Sequence, residues 1–452
     1  MKNFLKKFCV VLAALVLTAG FTACGGPSKT TLYVLSFKPE YSEIFEEVNR
    51  IFLEENPEIK KVDYKAVDTN DYNTVFSSRI QSGYLDVFTS EVTYMMQGTN
   101  NYMLPLTRQA YMDEISQEYL TEGSFYDPSS GKEAELLTLP LERVAYVVYY
   151  NKDIFEEYHL EEPATWSEFL NILEVFADAA EHPVVENGQP LTKIESALIF
   201  GGKSEWPTMN ILNSVVADVI GVNQPDFFDE IVNYDTNTAI RFNNENWIDA
   251  FTKMQTIGSK VDSSIYGLDY SFATNYFSVG NPNTKKMYPM MIDGTWAYSQ
   301  IRADFEVGAF ALPAVENPIG QDGKKNLAVK TGTTLSVFNR SNKTEYAEKY
   351  LEIFFRDEIY QKFINYTKTP SVKTTVSQSD ALVNSIFDAE KYNFVAAYDS
   401  RMPRYFPIVS ASEVTALMKG SVTPESVANS LQQQVELNKE DWQKYTMLSH
   451  GA

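Results

Sequence analysis

The sequence predicts an α/β fold, and the alternation of strands with helices near its start is the main reason. Apolar runs at residues 32–37, 62–67 and 85–89 are typical of buried strands, and the two segments between them carry apolar residues at helical spacing. This order favours parallel pairing with crossover helices. The chain has 452 residues, 44% of them hydrophobic, so we also expect two or more lobes.

The charge of the chain argues against some classes of partner. Its net charge is −22 at pH 7, and its isoelectric point is about 4.6. An acidic surface repels phosphate backbones and anionic lipid headgroups, so we expect neither nucleic-acid binding nor membrane association through charge. Aromatic residues make up 13% of the chain, and their flat apolar faces suit sugar recognition, although most of them should be core.

The N-terminal segment predicts export. Three lysines precede a short apolar run at residues 8–20, and small residues follow just before Cys24. The run is too short for a transmembrane span and has the features of a secretory signal. The segment resembles a bacterial lipoprotein signal, with Phe21 in place of the usual leucine.

We therefore expect residues 1–23 to be a signal peptide, Cys24 to carry a lipid at the outer face of the cell membrane, and residues 24–30 to form a flexible tether. The alternative is an ordinary signal peptide cleaved nearby, with Cys24 incidental. The other cysteine, Cys9, lies in the segment expected to be removed. The sequence thus predicts no disulfide and no cysteine-based metal site.

Later segments continue the strand and helix pattern. The strongest predicted strand is 145–150, and a capping-box pattern at 165–168 predicts the start of a helix. Further expected elements are helices through 211–220 and 247–257, loops in much of 181–286, a polar turn at 316–325, a strand at 333–338, one long helix from 347 to 359, and a last helix after 423. The stretch Met287–Pro313 reads as two strands around a turn that carries Trp296.

The motifs of this chain, in their order, resemble those of the extracellular solute-binding proteins, the family that includes the maltose-binding protein. The matching motifs are Leu139-Pro140-Leu141, the segments 144–170, 287–301 and 307–313, and Thr331-Gly332-Thr333 with the helix that follows. Tyr150-Asn151-Lys152-Asp153 followed by Pro163-x-Thr165-Trp166 is the most specific of them. The resemblance covers nearly the whole of the chain after the signal.

The resemblance implies a periplasmic-binding-protein-like fold with two α/β lobes joined by a hinge that the chain crosses several times. Lobe 1 would hold residues 31–140 and 314–365, and lobe 2 would hold residues 141–313 and 366–452. The ligand would bind in the cleft between the lobes, and closure of the hinge would bury it.

The function implied is that of a lipid-anchored receptor, which captures a carbohydrate and delivers it to the permease of an ABC-type importer. We expect a monomer that uses no cofactor or metal and catalyses no reaction. The alternative is an exported carbohydrate-active enzyme such as a glycoside hydrolase, because paired carboxylates leave no short signature. The three histidines show no metal-binding spacing, and the sequence contains no catalytic serine or phosphate-loop motif.

Five candidate ligand contacts follow predicted strands or turns. Trp296 matches the aromatic residue that the family places in the cleft, where an indole can stack on a sugar ring, and a core position is the alternative. Ser36 and Phe37 follow the first strand. Glu91 follows the third strand and would accept hydrogen bonds from sugar hydroxyls, or it is a solvated acid. Trp206 would approach the cleft or pack in the core.

Two further candidates lie at the first expected hinge crossing, and two lie at the start of a predicted strand. Glu142 and Arg143 would face the cleft, with an internal ion pair as the alternative. Gly332 and Thr333 would offer a backbone amide and a hydroxyl to the ligand, although both are ordinary at the start of a strand.

Two candidates come from the stretch where maltose-type members carry a further aromatic contact. Arg401 and Tyr405 occupy this stretch, and Glu413 aligns with the aromatic position itself. The acid at that position argues against a maltodextrin ligand.

Overall fold

The computed structural model describes residues 26–92, 98–125, 134–223, 241–317, 323–402 and 405–440. The predicted signal peptide and Cys24 lie outside these ranges. The side chains of Arg401 and Tyr405 are also outside the described part of the chain, as are those of Asn70, Asn223 and residues 406–409.

The secondary structure alternates between strands and helices. The described strands are, in chain order, β1 Thr31–Ser36, β2 Lys61–Ala66, β3 Val87–Glu91, β4 Ser124–Phe125, β5 Glu135–Leu136, β6 Leu139–Pro140, β7 Arg143–Asn151, β8 Val185–Glu186, β9 Gln189–Pro190, β10 Leu198–Ile199, β11 Met290–Gly294, β12 Val307–Phe310, β13 Lys325–Thr331, β14 Thr333–Val337 and β15 Tyr392–Ala396. The described α-helices are Ser42–Glu55, Thr69–Ser82, Gln117–Glu122, Lys152–Glu157, Trp166–Glu181, Pro207–Asn223, Glu245–Ser259, Tyr270–Val279, Thr344–Phe354, Asp357–Thr367, Ala381–Ile386, Tyr405–Met418 and Pro424–Leu437. The described 3-10 helices are Pro39–Tyr41, Thr99–Tyr102, Ala110–Glu114, Gly202–Ser204, Ser263–Gly267, Thr295–Gln300 and Tyr398–Arg401.

Contacts within the chain group it into two units. The first unit comprises Met1–Thr89 and Ser336–Phe354, and the second comprises Ser90–Leu335 and Phe355–Ala452. The lobe boundaries inferred from the family resemblance stay a prediction.

The first unit is built on parallel strands, as the alternation of elements predicts. β1 pairs in parallel with β2 on one side and with β3 on the other. The helix Ser42–Glu55 buries Phe45 and Phe52, whose rings contact Phe354 and Tyr350 of the helix Thr344–Phe354. The expected end of the first helix at Asn56 is also correct.

The sheet of the second unit is organised around β7. Its strands run in the order β10-β11-β7-β13-β15, and β12 also pairs with β7. β7 is antiparallel to all three of its partners. Seven of its nine residues are buried, which explains why its sequence is a continuous apolar run and not an alternating one.

Two parts of the fold differ from the sequence-based expectation. The helix expected from 347 to 359 is interrupted, because Arg356 has an extended backbone (ψ 139°) and a new helix starts at Asp357. Asp357 and Glu358 in the first turn favour that restart, since acidic side chains stabilise a helix N-terminus. In addition, β13 and the helix Tyr270–Val279 lie in segments for which no such element was expected.

A buried acid lies in the core of the second unit. Asp218, on the helix Pro207–Asn223, is 2% exposed, and its Oδ2 accepts a hydrogen bond from the Ala314 backbone N–H at 2.8 Å. Burial raises the pKa of Asp218 to about 6, although this hydrogen bond and the neighbouring Asn326 oppose the shift.

The raised pKa predicts that Asp218 destabilises the fold as the pH rises. The folded state keeps the proton up to a pH of about 6, whereas the unfolded chain loses it near its ordinary pKa of 3.8. The contribution of Asp218 to stability should therefore fall between about pH 4 and pH 6, by up to about 3 kcal/mol, and stay lowered above that range. We expect Asp218→Asn to raise the Tm relative to the unchanged protein, by more at pH 7.5 than at pH 4.

Differential scanning fluorimetry across this pH range tests the prediction. Asp304→Asn is the matched control, because Asp304 is an exposed acid of the same unit. A Tm difference for Asp218→Asn that does not change with pH would contradict the prediction.

Candidate functional site

Trp296 is half-buried and lies directly after β11, in the 3-10 helix Thr295–Gln300. Its indole covers Gly294, where a Cβ atom would come within 2.0 Å of the ring. Its ring also meets Tyr146 edge-on, with 5.9 Å between the centroids. Gly294 pairs with Tyr146 across the two strands, so the lack of a side chain at Gly294 makes room for the indole beside Tyr146.

Trp206 lies beside Trp296, at the end of a tight turn. The Trp206 backbone N–H donates to the Ser204 carbonyl at 2.7 Å, and Glu205 between them has φ 60° and ψ −47°. These angles are close to those of the rarer form of the γ-turn, in which φ is positive. This form is strained and is unusual for a residue with a side chain. The Trp206 ring lies 6.3 Å from Trp296 and 5.2 Å from Tyr270, measured between centroids.

Tyr146, Trp206, Tyr270 and Trp296 therefore form one group, called here the aromatic cluster. Trp206, Tyr270 and Trp296 are partly exposed, whereas Tyr146 is buried. The Trp206 Nε1–H is buried and donates to no hydrogen-bond acceptor in the described part of the chain. Buried donors are rarely left without an acceptor, so an acceptor from outside the described residues is expected for this indole N–H.

The helix Pro207–Asn223 continues the site with two buried amides. Asn210 and Asn213 follow Trp206 at spacings that place all three on one side of the helix. Asn210 Nδ2 donates to Asp293 at the end of β11 over 3.1 Å, and Asn213 Oδ1 accepts from the Asp399 backbone N–H over 3.4 Å.

A charged group adjoins Tyr146 on the side of β13. Lys330 Nζ lies 3.4 Å from Glu91 Oε2 and 6.0 Å from the centroid of the Tyr146 ring. Burial alone would lower the pKa of Lys330, but Glu91, Tyr146 and Asp399 raise it well above its ordinary value. Lys330 is thus positively charged, and Glu91, Lys330 and Asp399 are called here the charged cluster.

One carboxylate oxygen of Asp399 is buried. Its Oδ1 accepts no hydrogen bond from any described residue. Burial raises the pKa of Asp399, and the charge of Lys330 and the amide of Asn213 act in the opposite direction.

The structure brings three of the predicted site residues into these clusters. Trp296 and Trp206 are in the aromatic cluster, and Glu91 is in the charged cluster. Glu91 is thus neither a solvated loop acid nor isolated, because it pairs with Lys330. Contact of these residues with a ligand stays a prediction.

Glu142, Gly332 and Thr333 meet at the start of β14. The Thr333 backbone N–H donates to Glu142 Oε1 at 3.2 Å, and the Gly332 N–H donates to the Glu142 carbonyl at 3.0 Å. A Cβ atom on Gly332 would approach the Glu142 side chain to 2.8 Å, so glycine permits this packing. All of these contacts are internal to the fold, and a role in ligand binding stays a prediction.

Arg143 pairs with Glu118 at 3.2 Å, and its guanidinium lies 4.9 Å from the centroid of the Phe394 ring. In the first unit, Ser36 Oγ accepts from the Lys38 N–H at 3.0 Å. Phe37 is 3% exposed and meets Tyr72 edge-on. These contacts supply internal partners for all three predicted residues, and their contact with a ligand stays a prediction.

The prediction for Arg401 and Tyr405 concerns side chains outside the described residues. Asp399 nevertheless belongs to the same stretch, two positions before Arg401. It was not identified from the sequence, and neither were Tyr146, Asn213 and Lys330. Two of them have a signal in the sequence. Lys330 is a lysine within the apolar run of β13, and Asn213 is a polar residue at helical spacing after Trp206.

The described residues contain no group of three or more histidine, cysteine, aspartate and glutamate side chains that could hold a metal ion. Within the same ranges, no helix is both long enough and apolar enough to span a membrane.

Comparison with known proteins identifies the family. Residues 36–409 match the family model of the bacterial extracellular solute-binding proteins. The chain belongs to this family. A curated relative, the multiple sugar-binding protein of Streptococcus mutans, is 22% identical over 356 residues, which cover 76% of this chain and 75% of that protein. The predicted solute receptor is thus confirmed in preference to the enzyme.

Solved structures support the same fold for this solute-binding protein. RafE in complex with raffinose, a protein known from Streptococcus pneumoniae, has a TM-score of 0.68 at 18% identity and covers 89% of this chain and 98% of its own. A sugar transporter protein from Bacillus licheniformis in complex with stachyose has a TM-score of 0.67 at 14% identity, with the same coverage of both chains. The predicted fold class is confirmed.

The close approach of Trp296 to Gly294 generates a prediction. In Gly294→Ala the new methyl group would occupy the space of the indole, so Trp296 must move from its place beside Tyr146. We expect a loss of about 1–3 kcal/mol in the free energy of unfolding and a changed near-ultraviolet circular dichroism spectrum.

Gly267→Ala is the matched control, because Gly267 is exposed and a Cβ atom added there would have no atom within 4 Å. Equal stability and identical spectra for the two variants would show that the indole does not depend on Gly294.

Proposed function

We propose that this solute-binding protein is an extracytoplasmic receptor for a carbohydrate and that the aromatic cluster is part of its ligand site. The observation that carries the proposal is the pair of half-buried indoles, Trp206 and Trp296, which lie side by side. Sugar rings have apolar faces that pack on aromatic rings and hydroxyl groups that need hydrogen-bond partners. The two indoles supply the first requirement.

Polar groups in the same region would supply hydrogen-bond partners for the sugar hydroxyls. The Trp206 Nε1–H would donate to a ligand oxygen, and carboxylates such as Glu91 and Asp399 accept hydrogen bonds from hydroxyls. An apolar wall with a few polar groups at one end is typical of small-molecule sites.

The relatives support a carbohydrate ligand and a role in transport. The curated relative is named as a multiple sugar-binding protein, and the matched structures include complexes with raffinose and stachyose and a chitin oligosaccharide binding protein. We propose that this protein likewise binds a mono- or oligosaccharide and delivers it as a monomer to the permease of an ABC-type importer, without catalysing a reaction. Cys24 would carry the lipid that anchors it.

Titration of the purified protein tests the carbohydrate ligand. Raffinose, stachyose and chitin oligosaccharides are the first probes, with isothermal titration calorimetry as the measurement. We expect Trp296→Ala to weaken binding of the best probe by about 10-fold or more, because the stacking surface is lost. The sugar recovered after binding should be unchanged.

Trp166→Ala is the matched control, because Trp166 is also half-buried but packs against Phe169 and Lys253. Its affinity for the sugar should equal that of the unchanged protein. Equal affinity of Trp296→Ala would remove Trp296 from the site, and hydrolysis of the sugar would favour the glycoside hydrolase alternative.

The lipid anchor is tested in bacterial cells that process lipoproteins. We expect the full chain to incorporate labelled palmitate and Cys24→Ser to incorporate none, because the acceptor for the lipid is lost. Cys9→Ser serves as the control and should be labelled like the unchanged chain. Labelling of Cys24→Ser equal to that of the control would contradict the anchor.

A further inference from the structure

A cavity of about 530 Å³ lies in the first unit, whereas the aromatic and charged clusters both belong to the second. Its walls are formed by β1, β2 and the helix Thr69–Ser82, which contributes Arg79. Tyr33 of β1 pairs with Asp63 of β2. Lys65 projects from the same face of β2 as Asp63, because the two residues are two positions apart. A volume of this size is typical of small-molecule sites, so the side chains around it indicate which ligand fits.

The charges around this cavity are mostly positive. Arg79 Nη2 lies 2.9 Å from Asp63 Oδ1, and Lys61 Nζ lies 3.4 Å from Asp63 Oδ2, so two cations share one carboxylate. Lys65 is exposed and forms no ion pair with a described residue. The lining residues thus carry two positive charges and one negative charge, in a chain whose net charge is −22. Their charges favour an anionic ligand.

The cavity adjoins the predicted tether. The Ser28 backbone N–H donates to Tyr33 Oη at 3.0 Å, and Tyr33 lines the cavity. Pro27 packs on Gly83, where a Cβ atom would come within 3.3 Å of the proline ring. Cys24 lies four residues before Ser28, and four residues span at most about 14 Å. A lipid on Cys24 would therefore keep this cavity close to the headgroups of the membrane.

The hydrogen-bond donors of the cavity suit the phosphate group of such a headgroup. The guanidinium of Arg79 presents N–H groups in a fixed fork, and its ion pair with Asp63 holds it in place, since only 13% of its side chain is exposed. Lys65 adds an ammonium group, and Thr74 and Ser78 add hydroxyls. Phosphate oxygens accept from several donors at once, and charged donors form the stronger hydrogen bonds.

We propose that this cavity binds the phosphate group of an anionic phospholipid beside the lipid anchor, and that the first unit therefore rests on the membrane through this face. The proposal rests on the anchor proposed for Cys24, because the tether is what brings the cavity to the membrane. The acidic surface elsewhere does not prevent this contact, since exposed charges are screened beyond about 8 Å at physiological ionic strength.

Weak binding is sufficient for this role. A short tether holds a site at an effective ligand concentration on the order of millimolar, so the cavity needs no high affinity for a headgroup. A single anchor leaves the orientation of the first unit open, whereas a second contact a few residues from the anchor determines which face meets the membrane.

Chemical coupling to vesicles tests the proposal. Cys24 is the only cysteine after the predicted signal peptide, so the chain from Cys24 onward can be coupled through its thiol to a maleimide lipid. Vesicles of phosphatidylcholine alone are compared with vesicles that also contain phosphatidylglycerol, and hydrogen–deuterium exchange is measured by mass spectrometry. We expect exchange in peptides from residues 61–84 to slow by about 3-fold or more with phosphatidylglycerol, because a bound headgroup suppresses local opening.

Lys65→Glu should abolish this protection and should fold normally, because Lys65 is exposed. Lys349→Glu is the matched control, since Lys349 is a lysine of the same unit whose side chain is 43% exposed, and it should keep the protection. Equal exchange on the two kinds of vesicle, or protection that persists in Lys65→Glu, would overturn the proposal.

Inorganic phosphate added to the uncoupled chain distinguishes a lipid from a free anion. We expect it to protect the same peptides only at millimolar or higher concentrations. Saturation at micromolar phosphate would overturn the lipid headgroup in favour of a soluble phosphate ligand. Because the coupling is chemical, the vesicle result does not depend on natural lipid attachment. Absence of palmitate labelling of the full chain in cells would overturn the anchor, and with it the membrane role of the cavity.

Discussion

The position of the Tyr146 ring is the constraint on which the candidate site depends. The ring is buried and lies close to both Trp296 and Lys330, so a shift of Tyr146 would disturb the aromatic and the charged cluster together. Its backbone is fixed because β7 is paired antiparallel with β11 on one side and with β13 on the other. Groups carried by the central strand of a sheet are held more precisely than groups on loops. Burial also raises the pKa of Tyr146, so its hydroxyl stays neutral beside the charges.

Different local features of the backbone hold the two indoles in place. Trp296 packs in the space left by the missing side chain of Gly294. Glycine is required there for its small volume and not for its backbone conformation, because its φ of −76° is ordinary. Trp206 depends on the γ-turn at Glu205, whose strain costs about 1–3 kcal/mol. Contacts between aromatic rings contribute about 0.5–1.5 kcal/mol each, so the contacts of Trp206 with Trp296 and Tyr270 are of a size that offsets this strain.

Most of the fold was predictable, because the decisive signals are local. The continuous apolar run of β7 follows from burial on both faces, and the capping box at Thr165 is present as the sequence indicates. The interruption at Arg356 was not predictable from spacing, since the apolar stripe continues across it and only two residues lie between the helices. The order of β7 between β11 and β13 also depends on pairings between residues far apart in the chain.

The candidate site was predictable only in part, for a related reason. Trp296 was identified because it follows a strand directly, and that placement is local. Lys330 and Asp399 are far apart in the sequence, and their proximity arises only when β13 pairs with β15. The sequence therefore indicates which residues end strands, whereas the neighbours of each charge are a property of the folded unit.

The partial burial of the charged cluster is itself an argument for a binding role. Removing an ion from water costs several kcal/mol even after relaxation, and ion pairs buried in proteins are often less stabilising than apolar side chains of the same size. Lys330 lies in a strand whose neighbours Leu327, Ala328 and Val329 are buried and apolar, so an apolar residue at 330 would extend the existing core. Its pairing with Glu91 offsets the cost of desolvation, but one oxygen of the second carboxylate, Asp399, accepts no hydrogen bond from the part of the chain that the structure describes. Such an arrangement is poorly explained by stability alone, which agrees with the binding role proposed for this region.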